Sequence, residues 1–238
     1  MTCLLCNETI ECFFQWQHWF SFKQIEYPML CHTCEQQLKL CYWTETGCEY
    51  CNRSVEEGTT CCTDCLYWQK IDATYPLKVH AIFHYRSVVE QLIRQFKTVG
   101  DIRAAKLFEQ PLRNMIHKCQ KKDQMIIPIV SHPERESWRG FNQVKYILDQ
   151  IQVEYMDVLT YDNRPIIKKA YQNRKERIES NNPFILSEEA ICKLESHLNN
   201  QHVCFIDDVY TTGTTLHQAM DVLKQYNIKS FSAITLAH

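Results

Sequence analysis

Long apolar runs are absent from this 238-residue sequence. None approaches the roughly 18 residues needed to cross a bilayer. The opening Met1-Thr2-Cys3-Leu4-Leu5-Cys6 has neither a basic n-region nor an apolar h-region, so no secretory signal is expected and a cytoplasmic protein is. There is no low-complexity tract, and no internal repeat beyond paired cysteines. Glycine is scarce, with five residues, and none is followed by lysine, which excludes a Walker A loop. A large excess of one charge is missing too: the net charge is −2. With 45% apolar and 23% charged residues the chain is globular rather than disordered, and its length suits one medium domain plus a small one.

What is present is unevenly spread. Residues 1–70 hold four Lys/Arg against nine Asp/Glu, whereas the remainder holds 22 against 19. Eleven of the 14 cysteines lie at or before Cys65; Cys119, Cys192 and Cys204 are scattered. Without a secretory signal, metal ligation accounts for such a cluster better than disulfides do. Four pairs have CxxC spacing: Cys3/Cys6, Cys31/Cys34, Cys48/Cys51 and Cys62/Cys65. Two residues between thiolates let both sulfurs of a tight turn reach one tetrahedral ion, so four pairs complete two Zn²⁺ sites. Sequential pairing puts Cys3, Cys6, Cys31 and Cys34 on one ion and Cys48, Cys51, Cys62 and Cys65 on the other. Spacing alone also admits an interleaved pairing, and Cys61 in place of Cys62. Cys12, Cys41 and Cys61 read as ordinary thiols. Phe13, Phe14, Trp16, Trp19 and Phe20 supply a small core for the first ribbon.

This acidic segment is a poor nucleic-acid reader. Each Zn²⁺ held by four thiolates adds about −2 to a region already negative, and nucleic-acid affinity rests on Lys/Arg contacts to phosphates. The expected role is structural: two metal-stapled ribbons over residues 1–70 that cannot hold a core unaided, serving as a lid or docking surface for a second domain over 71–238.

In that second domain, strand-like and helical periods alternate. After a linker over 66–80, strands are expected at Val79–Tyr85, Met125–Val130, 153–159, 202–207 and Lys229–Leu236. Helices are expected from Val88 to Phe96, over 101–119, 142–151 and 188–198, and from Thr215 to Tyr226. Gly100 reads as a helix-ending residue, and 131–139 as a polar loop. This order implies an α/β fold, a mostly parallel sheet flanked by helices. Ligands of such sheets sit beyond the carboxyl ends of the strands.

One segment occupies that position. Val203-Cys204-Phe205-Ile206 leads into Asp207-Asp208, then Val209-Tyr210-Thr211-Thr212-Gly213-Thr214-Thr215 and an amphipathic helix. Two adjacent acids at the end of a buried strand suit ribose hydroxyls or a metal. Threonine hydroxyls and free N–H groups at a helix N-terminus suit a phosphate. Gly213 permits the tight turn and close approach of the backbone. Between Arg164 and Arg177 lies a basic run, Lys168, Lys169, Arg174, Lys175 and Arg177 among them, with Tyr171 interleaved. It reads as a solvated face, a loop closing over a phosphorylated ligand, or a track for single-stranded nucleic acid.

The acid–threonine segment resembles the phosphoribosyl-pyrophosphate (PRPP) signature of type I phosphoribosyltransferases. Arg139-Gly140-Phe141-Asn142-Gln143, Leu92-Ile93-Arg94-Gln95-Phe96-Lys97 with Gly100-Asp101, and Arg177 with Asn181/Asn182, Pro183 and Phe184 are similar to blocks of the ComF family, phosphoribosyltransferase-like proteins associated with natural competence. The paired CxxC ribbons extend the resemblance to nearly the whole chain. It implies a type I phosphoribosyltransferase-like sheet behind a double zinc ribbon. Thr211, Thr212, Gly213, Thr214 and Thr215 would bind the 5′-phosphate and Asp207 and Asp208 the ribose hydroxyls. Ser131, in the loop after Pro128, would approach the pyrophosphate, Arg139 would neutralise it, and Mg²⁺ would bridge pyrophosphate and ribose oxygens. It also implies handling of incoming single-stranded DNA beside other DNA-uptake proteins such as the uptake helicase, or a transferase releasing pyrophosphate from PRPP to an unnamed acceptor. For Arg139 the plainer reading is a salt bridge to Glu134 or Glu136; for Asn142, a helix cap; for His132, a solvated loop residue rather than a base.

Overall fold

Alternation along an inner strand of the sheet sets the architecture. Val203 and Phe205 point into one hydrophobic cluster and Cys204 and Ile206 into another, so the strand is covered on both faces. The computed structural model describes residues 1–10, 28–44, 47–74, 76–162, 182–187, 190–191 and 200–238. In chain order its elements are α1 (His32–Lys39), α2 (Thr63–Ile71), β1 (Lys78–Phe83), α3 (Ser87–Arg94), a π-helical turn (Gln95–Val99), α4 (Arg103–Cys119), β2 (Gln124–Pro128), α5 (Pro133–Arg139), α6 (Gln143–Gln150), β3 (Leu159–Tyr161), β4 (Phe184–Leu186), β5 (Gln201–Val209), α7 (Thr214–Leu223) and β6 (Ile228–Ala237). The main sheet has the order β1-β6-β5-β2 and is parallel throughout. β3 and β4 form a separate antiparallel pair.

One cluster joins Cys204, Ile206, Ile234 and Leu236 of the sheet to α3, α4 and α6 and to Cys3, Leu30, Cys34 and Leu38. The other joins Val203, Phe205 and Phe231 to α7 and the β3–β4 pair and to Cys48, Cys51, Cys62 and Cys65. The first cysteine group is therefore built into one face of the molecule and the second into the opposite face.

The elements depart from the sequence reading in several places, and α1 and β4 have no counterpart in it. The expected linker over 66–80 begins inside α2, and the expected loop over 131–139 contains α5. α5 buries none of its residues, so no apolar period marks it; its limits are local, with His132 as N-cap, Pro133 in the first turn and left-handed Gly140 after the end. The strand expected at 153–159 is an extended connection tied to β2 by Met156 N–H to the Ile126 carbonyl, 2.9 Å, and the regular strand starts only at Leu159. Gly100 closes the π turn at φ +73°, the helix-ending role expected of it. The basic segment with Lys168, Lys169, Arg174, Lys175 and Arg177, the aromatic set of the first ribbon and nearly all of the helix expected over 188–198 lie outside the described residues.

Candidate functional site

The two cysteine groups share one construction. In each, the second CxxC pair stands at a helix start: Cys31 caps α1 and Cys34 lies in its first turn, as Cys62 and Cys65 do for α2. The first pair turns through an asparagine with positive φ, Asn7 (61°) and Asn52 (59°), whose N–H returns to the carbonyl of Cys3 (3.0 Å) and Cys48 (2.8 Å). Sγ atoms of Cys3, Cys6, Cys31 and Cys34 lie within 4.8 Å of one another, and those of Cys48, Cys51, Cys62 and Cys65 do likewise. The assembled grouping is thus the sequential one, with Cys62 rather than Cys61. Four soft sulfurs converging on one point suit Zn²⁺, and helix N-termini favour the thiolates it needs. A hydrogen bond from Cys65 already holds the Cys51 thiol down to about 5, against burial.

At the carboxyl end of β5 the two acids emerge. Asp207 pairs with Thr235 of β6 in register, and its Oδ1 accepts the Asp208 N–H at 2.8 Å. Burial, then the charge of Asp208, pushes the Asp207 carboxyl up to about 7, with Lys97 opposing. Lys97 Nζ lies 2.8 Å from Asp208 Oδ1. Burial works against that ammonium, but Asp208 outweighs it and holds Lys97 above the usual lysine range. Lys97 lies in the π turn that continues α3. Sequence reading did not single it out as a site residue, although the Leu92–Lys97 block was the signal.

Arg139 joins this cluster. Its Nη1 donates to the Lys97 carbonyl at 3.3 Å and its Nε to the Arg135 carbonyl at 3.0 Å; Asp208 helps to keep it charged where burial works against it. Its hydrogen bonds go to these carbonyls, not to Glu134 or Glu136. Ser131 donates to Gln143 Oε1 at 3.0 Å in the loop after β2. Asn142 caps α6, accepting from Lys145 N–H at 3.0 Å, and also donates to the Ile129 carbonyl at 3.3 Å. Buried Asn142 therefore fixes both the helix start and the loop bearing Ser131. His132 is half-buried and caps α5, its Nδ1 accepting from Glu134 N–H, with its ring edge-on to Tyr161 at 5.2 Å.

Beyond the acids, Gly213 takes φ +79° and starts α7. The Thr212 and Thr214 hydroxyls lie 2.9 Å apart, and the Tyr210 N–H is bound to the Ala237 carbonyl. Among the described residues, the N–H groups of Thr211 through Thr215 donate to no protein acceptor. Five successive free amides at a helix start, with two acids on one side and a lysine and an arginine beyond, form a cradle for an anion attached to a polyhydroxyl group.

Residues 98–238 match the family model described as the phosphoribosyl transferase domain. Along nearly its whole length the chain is similar to the competence protein ComFC of Streptococcus pneumoniae (26% identity over 236 residues, 99% of each chain). It is also similar to ComFC of Bacillus subtilis (27% over 240 residues, 99% of this chain and 94% of that one). Competence protein F of Haemophilus influenzae is 24% identical over 214 residues, 87% of this chain and 90% of that one.

Proposed function

Starting from the fact that this chain belongs to the phosphoribosyl transferase domain family, we propose that it binds PRPP with Mg²⁺ at the end of β5 and acts in natural competence, in the cytoplasm, on incoming single-stranded DNA. The observation that carries the reading is the run of unpartnered amides at Thr211–Thr215 directly after Asp207 and Asp208. In this reading Thr211, Thr212, Gly213, Thr214 and Thr215 take the 5′-phosphate and the two acids take the ribose hydroxyls. Ser131, Arg139 and Lys97 face the pyrophosphate. Mg²⁺ would neutralise pyrophosphate oxygens, and the hard carboxylate and phosphate oxygens fit that ion. Residues 1–70 form the metal-bound part, holding two structural Zn²⁺, and the chain from 71 onwards the sugar-phosphate part. The similarity to competence proteins supports the process; Lys168, Lys169, Arg174, Lys175 and Arg177 are the residues we assign to DNA phosphates.

The test is calorimetric titration of PRPP with Mg²⁺ into the wild type and into Asp207→Asn and Asp208→Asn. Heat with the wild type and at least a tenfold loss in each variant is expected; no heat with the wild type removes the reading. A second reading, a transferase releasing pyrophosphate, draws on Lys97 and Arg139: two cations within reach of one carbonyl and one acid would neutralise a departing pyrophosphate as the sugar gains oxocarbenium character. Pyrophosphate release on adding bases or nucleotides separates it from binding alone.

A further inference from the structure

The threonine loop is held from behind by the second cysteine group. Arg53, two residues after Cys51, donates from Nη2 to the Thr211 carbonyl at 2.7 Å. Trp68, three residues after Cys65 on α2, donates from Nε1 to the Thr212 carbonyl at 2.7 Å. Both donors are themselves fixed. Arg53 Nη1 is paired at 2.7 Å with Asp64, which is 3% exposed, and its Nε and Nη2 reach His238 Nε2 at 3.2 and 3.0 Å. Trp68 stacks on His217 of α7, centroids 4.1 Å apart and planes 8° from parallel. An added Cβ on Gly213 would lie 2.8 Å from the Tyr210 hydroxyl and 3.3 Å from Trp68 Nε1, so the loop rests against the indole.

A trans peptide is planar, and its C=O and the following N–H point in opposite directions. Tying the carbonyls of Thr211 and Thr212 back to the cysteine group therefore turns the N–H groups of Thr212 and Gly213 the other way, towards the free side of the loop. We propose that Arg53 and Trp68 are positioning residues that present the loop amides to the phosphate, so that the second metal group governs ligand affinity without touching ligand. The proposal rests on the PRPP reading for its ligand, but the orientation of the loop can be measured without one.

Trp68→Phe keeps an aromatic ring beside His217 and removes the indole N–H together with the pyrrole part of the ring system. Arg53→Lys keeps the charge beside Asp64 but puts its donors on one nitrogen, in place of the fork whose Nε, Nη1 and Nη2 reach His238, Asp64 and the Thr211 carbonyl separately. Calorimetry of the full chain with Mg²⁺ and PRPP is expected to show about a threefold to tenfold weaker Kd in each, as loss of one hydrogen bond implies, with two Zn²⁺ per chain retained by metal analysis. Wild-type affinity in both variants, at full zinc content, overturns the proposal. If the wild type itself binds no PRPP, the functional reading falls and the brace is decided by NMR of the ligand-free chain. Lower amide order parameters at Thr211–Thr215 in the variants then support it, and unchanged ones overturn it.

Discussion

Asp207 is the residue on which the pH behaviour of this site turns. Its carboxyl is raised to about 7 by burial and then by Asp208, so near neutrality it is half protonated. The proposed hold on ribose hydroxyls and Mg²⁺ needs the ionised form, whose two oxygens act only as acceptors. Mg²⁺–PRPP affinity is therefore expected to rise from pH 6 to pH 8 by about tenfold, since at pH 6 about a tenth of the groups are ionised. Calorimetry in two buffers of different ionisation heat measures both the affinity and the accompanying proton release. The sign for stability is the reverse. A carboxyl with a raised folded pKa favours the fold fully below its ordinary value near 3.8 and loses that contribution as pH rises through about 7. Asp207→Asn should flatten that part of a urea-unfolding pH profile. Lys97→Met removes the opposing cation and should move the binding profile to higher pH.

Elements show which parts of the molecule could be read from the chain alone. Asn142→Ala is expected to cost about 1–2 kcal/mol in urea unfolding, because it removes a helix cap together with the bond that fixes the loop after β2. That capping role was legible, because an Asn stood before an apolar helical period. So were α3, α4, α6, α7, β5 and β6, each with enough buried positions to write its period into the sequence. α5 was not, because it buries nothing. Nor was α2, whose buried residues are only Asp64, Cys65 and Trp68. The acids and threonines were legible because strand, turn and helix N-terminus are consecutive. Trp68 and Arg53 carry no local signal, because their contacts with the site span 144 and 158 residues of chain, and Lys97, at 111, is marked only by the Leu92–Lys97 block. Such pairings are fixed by sheet order and by the cysteine groups, which no local pattern encodes.

At the scale of the molecule, the two cysteine groups are parts of the core rather than an appendage. The first shares a cluster with α3, α4 and α6, the second with α7 and the back of the threonine loop. Complete chelation of zinc is accordingly expected to abolish near-UV ellipticity and collapse cooperative unfolding of the whole chain; an unchanged near-UV spectrum after metal analysis shows no zinc would refute it. The groups should also differ. Cys6→Ser is expected to lower Tm while leaving loop affinity near wild type, whereas Cys51→Ser should lower both, read by calorimetry below the variant's Tm. Among the described residues no helix is long and apolar enough to cross a membrane. The sequence holds five tryptophans, and Trp68 is tied to the Thr212 carbonyl and stacked on a histidine that burial keeps neutral, its pKa lowered to about 3. An indole whose N–H and ring face both report on one loop is a built-in optical sensor. Filling the cradle should alter its emission, so occupancy can be followed by intrinsic fluorescence with no label attached.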